Sequence, residues 1–292
     1  MNWFLLAFIS AVFSAASAVS EKKALSSLDA LIFSFAVSIA TLFLSVLFFF
    51  NIHLANISQV SFFVLLFKTF LNASAFLCVM FAIKNLEISE ALPLLALSPG
   101  LVAVAGVIFI NDSLTLVEWF GIFLMVIGAY VLELRKDNKS FFDPFKTLFH
   151  FSKYSYVFIA LLLFTVTSIL DRILLKKFNL PPFEFMALQQ FFYAIFFFVA
   201  VLIYRKGFVT TIKSINKNIF YVIVLVSVFT VVYRFTQIEA TKLAPAALVL
   251  SVKRLSVLMA VVFGGRLFSE ENLTRRIIAV VIILVGTAFL AL

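Results

Sequence analysis

The sequence predicts an all-α integral membrane protein with ten transmembrane helices, arranged as two inverted five-helix repeats around a central cavity. Three observations predict this fold class: the mean hydropathy is +1.17, only 13% of the 292 residues are charged, and the second half of the chain repeats the first. A soluble domain of this size does not bury so much apolar side chain, so lipid is expected to solvate it. Because each repeat has an odd number of spans, the two repeats are expected to insert in opposite orientations.

Ten apolar runs are expected to form the transmembrane helices, each with roughly the 20 residues that cross about 30 Å of hydrocarbon. Their length and the absence of period-two alternation favour helices over the strands of a barrel. The first run has no basic segment before it and no small-residue cleavage site after it, which predicts a retained helix rather than a signal peptide. The predicted spans are Asn2–Ser20, Asp29–Phe50, Val60–Ile83, Ile88–Ile110, Leu114–Leu134, Tyr154–Leu175, Phe183–Tyr204, Ile219–Ile238, Ala244–Phe268 and Leu273–Leu292.

The internal repeat is found by adding 158 to a residue number in the first half. Asp112 then corresponds to Glu270, and Gly128 corresponds to Gly286. The first spans of the two halves align at an offset of 154 instead, which one small insertion explains. The predicted domains are a first repeat over residues 1–134, an inter-repeat loop over 135–153 and a second repeat over 154–292.

The net charge of +9 is concentrated in short loops and indicates membrane topology rather than nucleic-acid binding. Lysine and arginine are abundant after the odd-numbered spans, whereas the loops after the even-numbered spans carry little beyond Lys176, Lys177 and Lys242. Since positive loops stay in the cytoplasm, both termini are predicted to be non-cytoplasmic. The composition fits a multi-pass protein of a bacterial inner (plasma) membrane.

Several kinds of site are not expected from this sequence. Cys78 is the single cysteine, so no disulfide can form within the chain. The sequence has no Cys/His cluster that would predict a metal site. It also has no glycine-rich loop that would predict a phosphate-binding cofactor site. No paired nucleophile and base indicate an intramembrane enzyme. We therefore expect no cofactor, no metal and no catalytic residues.

Charged residues at mid-membrane cost several kcal/mol unless they face a cavity or a partner, so each is a functional candidate. Lys253 and Arg254 lie near the centre of the ninth predicted span. A lysine point charge beside a guanidinium fork suits a carboxylate or a phosphate. The alternative is structural: the two cations pair with Asp171 and Glu239, or extend towards the membrane surface.

Two polar stripes are further candidates for substrate contacts. Thr230, Arg234 and Gln237 lie on one face of the eighth span, because they are three or four residues apart. Lys68 and Asn72 form a shorter stripe at i and i+4 in the third span. The alternatives are polar contacts between helices for the first stripe and an extended, surface-reaching Lys68 for the second.

The sixth and seventh spans add a coupling candidate and two hydrogen-bonding candidates. Gln190 and Tyr193 are three residues apart and could contact a substrate. Asp171 could carry a coupling proton, and the simpler alternative is an ion pair with Arg234 or with the neighbourhood of Arg172. A cavity with more cations than carboxylates favours an anionic or zwitterionic substrate.

Motifs near the ends of the spans carry a family resemblance. The residues concerned are Pro99, Asp112, Gly121 and Gly128 in the first half, and Glu270 and Gly286 in the second. With these two registered copies the whole chain resembles the drug/metabolite transporter superfamily, in particular its EamA-like ten-helix members. It departs from the pattern at Asp112, where glutamate is usual, at Val257, where a second proline often occurs, and at Ala279, where the family has glycine.

The resemblance implies two intertwined five-helix bundles and alternating access without ATP hydrolysis. Spans one to four and six to nine would surround the cavity, while spans five and ten would be peripheral and could support a homodimer. The glycines, seven residues apart, permit close helix approach. Asp112 and Glu270 each precede a span and are expected to stabilise loop geometry or a helix start.

The predicted function is secondary active transport of a small organic metabolite, such as an amino acid or another solute that bears a carboxylate or phosphate. The alternative is a lipid flippase or an accessory membrane subunit, in which the aromatic surface matters more than the cavity. The predicted partners are a small anionic or zwitterionic substrate and the lipid bilayer, with no nucleic acid.

Overall fold

The structure, a computed structural model, describes residues 3–46, 57–110, 114–133, 151–174, 178–204, 217–243, 249 and 252–289. All regular secondary structure within these residues is helical. The helices are α1 (Trp3–Leu25), α2 (Ala30–Leu44), α3 (Gln59–Asn85), α4 (Ile88–Leu95), α5 (Ser98–Ile110), α6 (Leu116–Glu133), α7 (Phe151–Arg172), α8 (Pro182–Tyr204), α9 (Lys217–Leu243), α10 (Leu255–Leu267) and α11 (Leu273–Phe289).

Several helical segments have the length and apolar character needed to cross a membrane. Six of the described segments reach at least 18 residues with high hydropathy, and three shorter apolar helices accompany them. The six are Trp3–Leu25, Gln59–Asn85, Ile88–Ala105, Tyr154–Asp171, Phe183–Tyr204 and Lys217–Ala240. The outer faces of the long and the shorter apolar helices carry large exposed apolar side chains such as Phe63, Phe123 and Phe198. A soluble monomer rarely exposes apolar surface on this scale, so these faces suit lipid.

Helix α1 is longer than the sequence predicts, and this corrects the first predicted boundary. The apolar run ends at Ser20, but the helix continues to Leu25. Glu21 and Lys22 are therefore helical residues rather than loop residues. The ammonium of Lys22 donates hydrogen bonds of 2.6 Å to the carbonyl of Ile83 and 2.5 Å to that of Leu86, at the end of α3. These contacts fix the last turn of α1 against α3.

The fourth predicted span is interrupted by a turn. Helix α4 ends at Leu95, a turn follows at Ala96 and Leu97, and α5 begins at Ser98. Pro99 occupies the first turn of α5, where its missing N–H causes no loss. The same missing N–H leaves the carbonyl of Leu95 without its helical hydrogen-bond partner. The helix is therefore interrupted at this point.

The helices pack in a regular set of neighbours around the core. Helix α1 lies along α9, α3 lies along α7, α2 contacts α8, and α6 packs along α11. Smaller contacts join α10 to α1 and α5 to α7. The main core is apolar and includes Phe33, Met80, Ile83, Leu94 and Tyr154 from α2, α3, α4 and α7. These packed helices surround a cavity that opens among α1, α3, α4, α7 and α9.

The crossing of α6 and α11 is built on glycine. A Cβ atom at Gly286 would lie 2.5 Å from the carbonyl oxygen of Gly121 and 2.8 Å from Met125 Cγ. A Cβ atom at Gly128 would lie 2.5 Å from Ile283 Cγ1. The backbones therefore approach more closely than any larger residue allows, as the glycine spacing predicts. Asp112, the landmark that precedes this part of the first repeat, lies outside the described residues.

Candidate functional site

The larger cavity has a volume of about 240 Å³ and two kinds of wall. Helices α3, α4 and α7 contribute apolar side chains such as Met80, Leu92 and Phe164. The polar wall comes from α1, α9 and the segment before α10, and its charged residues are Glu21, Arg234, Lys253 and Arg254. A cavity with apolar walls and a few convergent polar groups is the usual form of a small-molecule site.

A second, smaller cavity of about 40 Å³ adjoins the first. It is lined by polar residues of α2, α8 and α9, namely Ser38, Thr41, Gln189, Gln190, Tyr193, Thr230, Tyr233 and Arg234. Phe76, Tyr233 and Arg234 border both cavities, so Arg234 faces the space on either side. The buried Oγ1 of Thr41 has no hydrogen-bond partner among the described residues. The smaller cavity thus offers hydroxyl and amide groups beside a cation.

Lys253 and Arg254 lie at a break in the helix of the ninth span. Val252 and Lys253 are helical, Arg254 is a turn residue, and α10 begins at Leu255. Adding 158 to Ala96 gives Arg254, so the breaks in the two halves occupy corresponding positions. The repeat also matches Leu97–Ser98 with Leu255–Ser256. Arg254 Nη2 donates a 2.7 Å hydrogen bond to Ser98 Oγ and so joins one break to the other.

The two cations have neutral partners. Lys253 Nζ donates a 2.5 Å hydrogen bond to Gln237 Oε1 and lies 5.0 Å from the ring centroid of Tyr233. Arg254 bonds to Ser98, and its buried Nε has no hydrogen-bond partner among the described residues. The structural alternative, in which Asp171 and Glu239 pair with these cations, is therefore not what the contacts give. No carboxylate among the described residues pairs with either cation.

Lys68 does not extend to the membrane surface. It is 1% exposed, and its ammonium forms a 2.8 Å ion pair with Asp171 and a 3.2 Å hydrogen bond to Gln189 Oε1. The ring centroid of Phe185 lies 4.5 Å away. Asp171 was a coupling candidate, with an ion pair near Arg172 or with Arg234 as the simpler alternative; the ion pair that the structure gives it is with Lys68 on α3, a contact between helices that sequence spacing does not reveal. In this ion pair the ammonium of Lys68 and the carboxylate of Asp171 balance each other's charge.

Asn72 and Tyr193 are brought together by α3 and α8. The Tyr193 hydroxyl donates to Asn72 Oδ1, and Asn72 Nδ2 donates a 3.3 Å hydrogen bond to Thr167 Oγ1 on α7. Tyr193, Gln190 and Thr230 line the smaller cavity, whereas Lys68 and Asn72 line neither. Of the predicted site residues, Arg234, Lys253 and Arg254 converge on the larger cavity, and Gln237 accepts a hydrogen bond from Lys253.

Glu21 is the charged residue of the larger cavity that the sequence analysis missed. It is 8% exposed, lines the larger cavity and accepts a 2.8 Å hydrogen bond from Ser17 Oγ. Beside Lys22 and Lys23, at the end of an apolar run, it resembles an ordinary loop residue. A usable signal was the helical spacing of Ser10, Ser14 and Ser17, which Glu21 continues at i+4 from Ser17.

Glu270 contacts the start of α4, whereas the sequence placed it before α11, the helix that follows it. Its carboxylate accepts hydrogen bonds from the backbone N–H groups of Ile88 and Ser89, at 2.7 and 2.9 Å. It therefore caps α4 rather than α11, the helix that follows it. Arg276 completes the cluster: it forms an ion pair with Glu87, donates a 2.5 Å hydrogen bond to Ser89 Oγ and lies 3.8 Å from Glu270. A carboxylate at a helix N-terminus is stabilised by the helix dipole.

Comparison with known proteins agrees with this architecture. The model of the EamA-like transporter family matches residues 1–134 and 151–292. A solved chain described as "Crystal structure of protein" superposes with a TM-score of 0.68 at 11% sequence identity, covering 98% of this chain and 95% of that chain. At that identity the likeness shows the fold alone. None of the curated proteins matches the chain in sequence.

Proposed function

Because this chain belongs to the EamA-like transporter family, we propose that it is a secondary transporter of a small organic metabolite that bears a carboxylate or a phosphate. The family makes the chain a multi-pass membrane transporter of the drug/metabolite type. Our proposal adds the substrate class, with amino acids among its members, and an alternating-access mechanism. The alternative, a lipid flippase or an accessory membrane subunit, is an outcome of the test below.

The pattern of helix contacts supports two related halves with ten spans. If α4 and α5 form the fourth span, the most extensive contacts between spans have counterparts in the other half. The packing of α1 on α9 corresponds to that of α7 on α3, and the contact of α10 with α1 corresponds to that of α5 with α7. The repeat exchanges α2 with α8 and α6 with α11, so it maps each of the α2–α8 and α6–α11 contacts onto itself. With five spans in each half, we propose that the halves are inverted.

One observation carries the proposal: broken helices in corresponding positions of the two halves meet at the cavity through Arg254 and Ser98. Transporters with repeated halves typically place the substrate where such interrupted helices meet, at the interface between the repeats. Helices α5 and α10 both begin there, and helix N-termini carry partial positive charge. This geometry supports an anion site at the two breaks.

The charges of the cavity support an anionic or zwitterionic substrate. Lys253 and Arg254 have hydrogen-bond partners that carry no charge, so an anion can replace these partners without breaking an ion pair. Arg234 is placed to bind a second group, where the two cavities adjoin. Gln190, Tyr193 and Thr230 would then orient the remainder of the substrate from the smaller cavity. In this proposal Lys68 and Asn72 hold α7 and α8 in place behind the site.

The proposed topology follows the distribution of loop charges. We place the lysine-rich and arginine-rich loops after the odd spans in the cytoplasm and both termini outside, in a bacterial inner membrane. Helix α6 exposes Trp119, Phe120 and Phe123. We assign this face, together with α11, to lipid or to a second copy in a homodimer.

The test is ligand stabilisation of the detergent-purified protein. L-serine, L-glutamate, glucose 6-phosphate and AMP are added separately, and the unfolding temperature is measured; a bound ligand raises it by mass action. A shift with at least one probe is expected in the wild type and in K23Q, which changes an exposed lysine. The double variant K253Q/R254Q should still unfold in one cooperative transition without ligand, although at a changed temperature, and should lose the shift.

Two results would contradict the proposal. A shift that persists in K253Q/R254Q would place the ligand elsewhere. Stabilisation by particular lipids alone, with no response to any soluble probe, would favour the flippase or accessory-subunit alternative.

A further inference from the structure

Glu21 is the one acidic side chain among the described residues that line the larger cavity. It lies in the last turns of α1, is 8% exposed and accepts a single hydrogen bond, from Ser17 Oγ at 2.8 Å. No cation among the described residues lies within ion-pair distance of its carboxylate. A buried carboxylate without a cation costs several kcal/mol, so it needs a neutralising partner that the protein itself does not supply.

The charged and titratable groups that share the cavity with Glu21 come from two places. Helix α9 contributes Tyr233 and Arg234, and the break before α10 contributes Lys253 and Arg254. The side chains that α3, α4 and α7 present to the cavity are apolar. Glu21 therefore shares the cavity with the cations that we assign to the substrate anion, and none of these cations lies within ion-pair distance of its carboxylate.

Other titratable groups on the neighbouring helices are engaged away from Glu21. Lys22 donates to backbone carbonyls at the end of α3, and Lys84 donates a 3.0 Å hydrogen bond to the carbonyl of Leu28. Glu90 on α4 accepts a hydrogen bond from Tyr154 on α7. Asp171, also on α7, is paired with Lys68. Asp171 is thus already neutralised, which distinguishes it from Glu21 as a proton carrier.

We propose that Glu21 is the proton-coupling residue of the transporter, and that a proton on its carboxylate occupies the cavity together with the substrate anion. This inference rests on the proposed transport function. An anion at Lys253 and Arg254 would be repelled by an ionised Glu21 in the same low-dielectric cavity. A proton on Glu21 removes that repulsion. Proton and anion therefore bind cooperatively, and by linkage each favours the other.

The transported proton follows a simple path. With the cavity open to one side, a carboxylate oxygen of Glu21 takes a proton from water. When the cavity opens to the other side and the anion leaves, water solvates the carboxylate, and the O–H bond breaks with return of the proton to water. One proton moves with one anion, and no further reactant is needed.

Infrared spectroscopy tests the proton site without any substrate. Lowering the pH of the detergent-purified protein should produce a carboxylic-acid C=O band that is absent from E21Q and unchanged in E271Q, a matched substitution of an exposed glutamate. An identical band in E21Q would overturn the proposal. If E21Q does not fold, E21D decides: it keeps a carboxyl group in a changed position, so its band should shift in frequency, and an unshifted band would overturn the assignment.

Binding and transport of L-glutamate test the coupling. The charge of this probe does not change between pH 6 and pH 8. Its affinity for the wild type should fall as the pH rises, by up to about tenfold per pH unit, the limit for one linked proton. E21Q should bind with an affinity that does not depend on pH. In proteoliposomes E21Q should lose accumulation driven by a pH gradient and retain exchange of labelled for unlabelled L-glutamate.

The outcomes separate this inference from the proposed function. Gradient-driven accumulation that survives in E21Q, or that follows a sodium gradient instead of a pH gradient, would overturn the role of Glu21 while leaving transport intact. A wild type that neither binds nor moves any probe would count against the transport proposal, and the infrared result would still decide whether Glu21 carries the proton.

Discussion

Glu270 caps the start of α4 from the far end of the chain: its carboxylate accepts the backbone N–H of Ile88 at 2.7 Å across 182 residues of sequence. A second hydrogen bond, from the N–H of Ser89, uses the other carboxylate oxygen. The first N–H groups of a helix have no partner within it, so an external acceptor is required. The second half of the chain supplies that acceptor and thereby fixes the first part of the broken fourth span.

Replacing Glu270 should therefore destabilise the protein rather than abolish a binding site. Glu270→Ala removes the acceptor for two backbone N–H groups and a neighbour of Arg276, for an expected loss of about 1–3 kcal/mol. Thermal unfolding in detergent measures the loss. Glu271→Ala, at an exposed neighbouring position, is the control and should change little. Equal effects of the two substitutions would show that the cap does not contribute.

Much of the candidate site could be predicted from sequence, because a charge inside a long apolar run is conspicuous. Arg234, Lys253 and Arg254 were predicted on that ground, and all three line the larger cavity. Polar residues on the same helix face, such as Thr230, could likewise be predicted from their helical spacing. The physical reason is common to all of them: lipid makes each unneeded polar group costly, so those that remain stand out.

The missed features depend on contacts between helices or on exact helix ends. The predicted first span ends at Ser20, before Glu21, whereas α1 continues to Leu25 and its residue Lys22 forms hydrogen bonds with the end of α3. The fourth span was predicted as one segment, Ile88–Ile110, and the exact position of the turn at Ala96, between α4 and α5, could not be read from the apolar run. The partner of Lys68 could not be read from spacing, since Asp171 belongs to another helix in the other half.

The glycine crossing of α6 and α11 should tolerate no larger side chain. Gly286→Val places atoms where the backbone oxygen of Gly121 lies, 2.5 Å from the new Cβ, and backbone cannot move aside cheaply. We expect a loss of about 1–3 kcal/mol or failure to purify as a single species. Gly100→Ala is the comparison, because its new Cβ meets the flexible sulfur of Met125 at 3.3 Å. A Gly286→Val protein as stable as Gly100→Ala would contradict the close crossing.

The Lys68–Asp171 ion pair should respond asymmetrically to loss of each partner. Lys68 is almost fully buried, whereas the side chain of Asp171 is 35% exposed. Asp171→Ala leaves an unpaired buried ammonium and should cost about 3–5 kcal/mol, while Lys68→Met leaves a carboxylate that water can reach and should cost less. The double variant should be more stable than Asp171→Ala alone. Unfolding curves that give simple additivity of the two losses would rule out the pair as the cause.

The hydrogen bond between Arg254 and Ser98 makes a prediction about the site itself. Ser98→Ala removes the acceptor of a 2.7 Å hydrogen bond and leaves a cavity guanidinium with fewer partners, so the ligand-free protein should lose about 1–2 kcal/mol of stability. Ser256→Ala is the matched control: Ser256 lines the same cavity at the corresponding position of the other half.

If the anion binds at Arg254, it no longer competes with the Ser98 hydroxyl in Ser98→Ala. The anion should therefore raise the unfolding temperature of Ser98→Ala by more than that of the wild type or of Ser256→Ala, because binding now restores a lost partner. The measurement is the ligand-induced shift for each protein at equal concentrations of a probe that stabilises the wild type. A smaller shift in Ser98→Ala would mean that the hydroxyl itself contacts the ligand, and an equal shift would place the anion away from the point where the two broken helices meet.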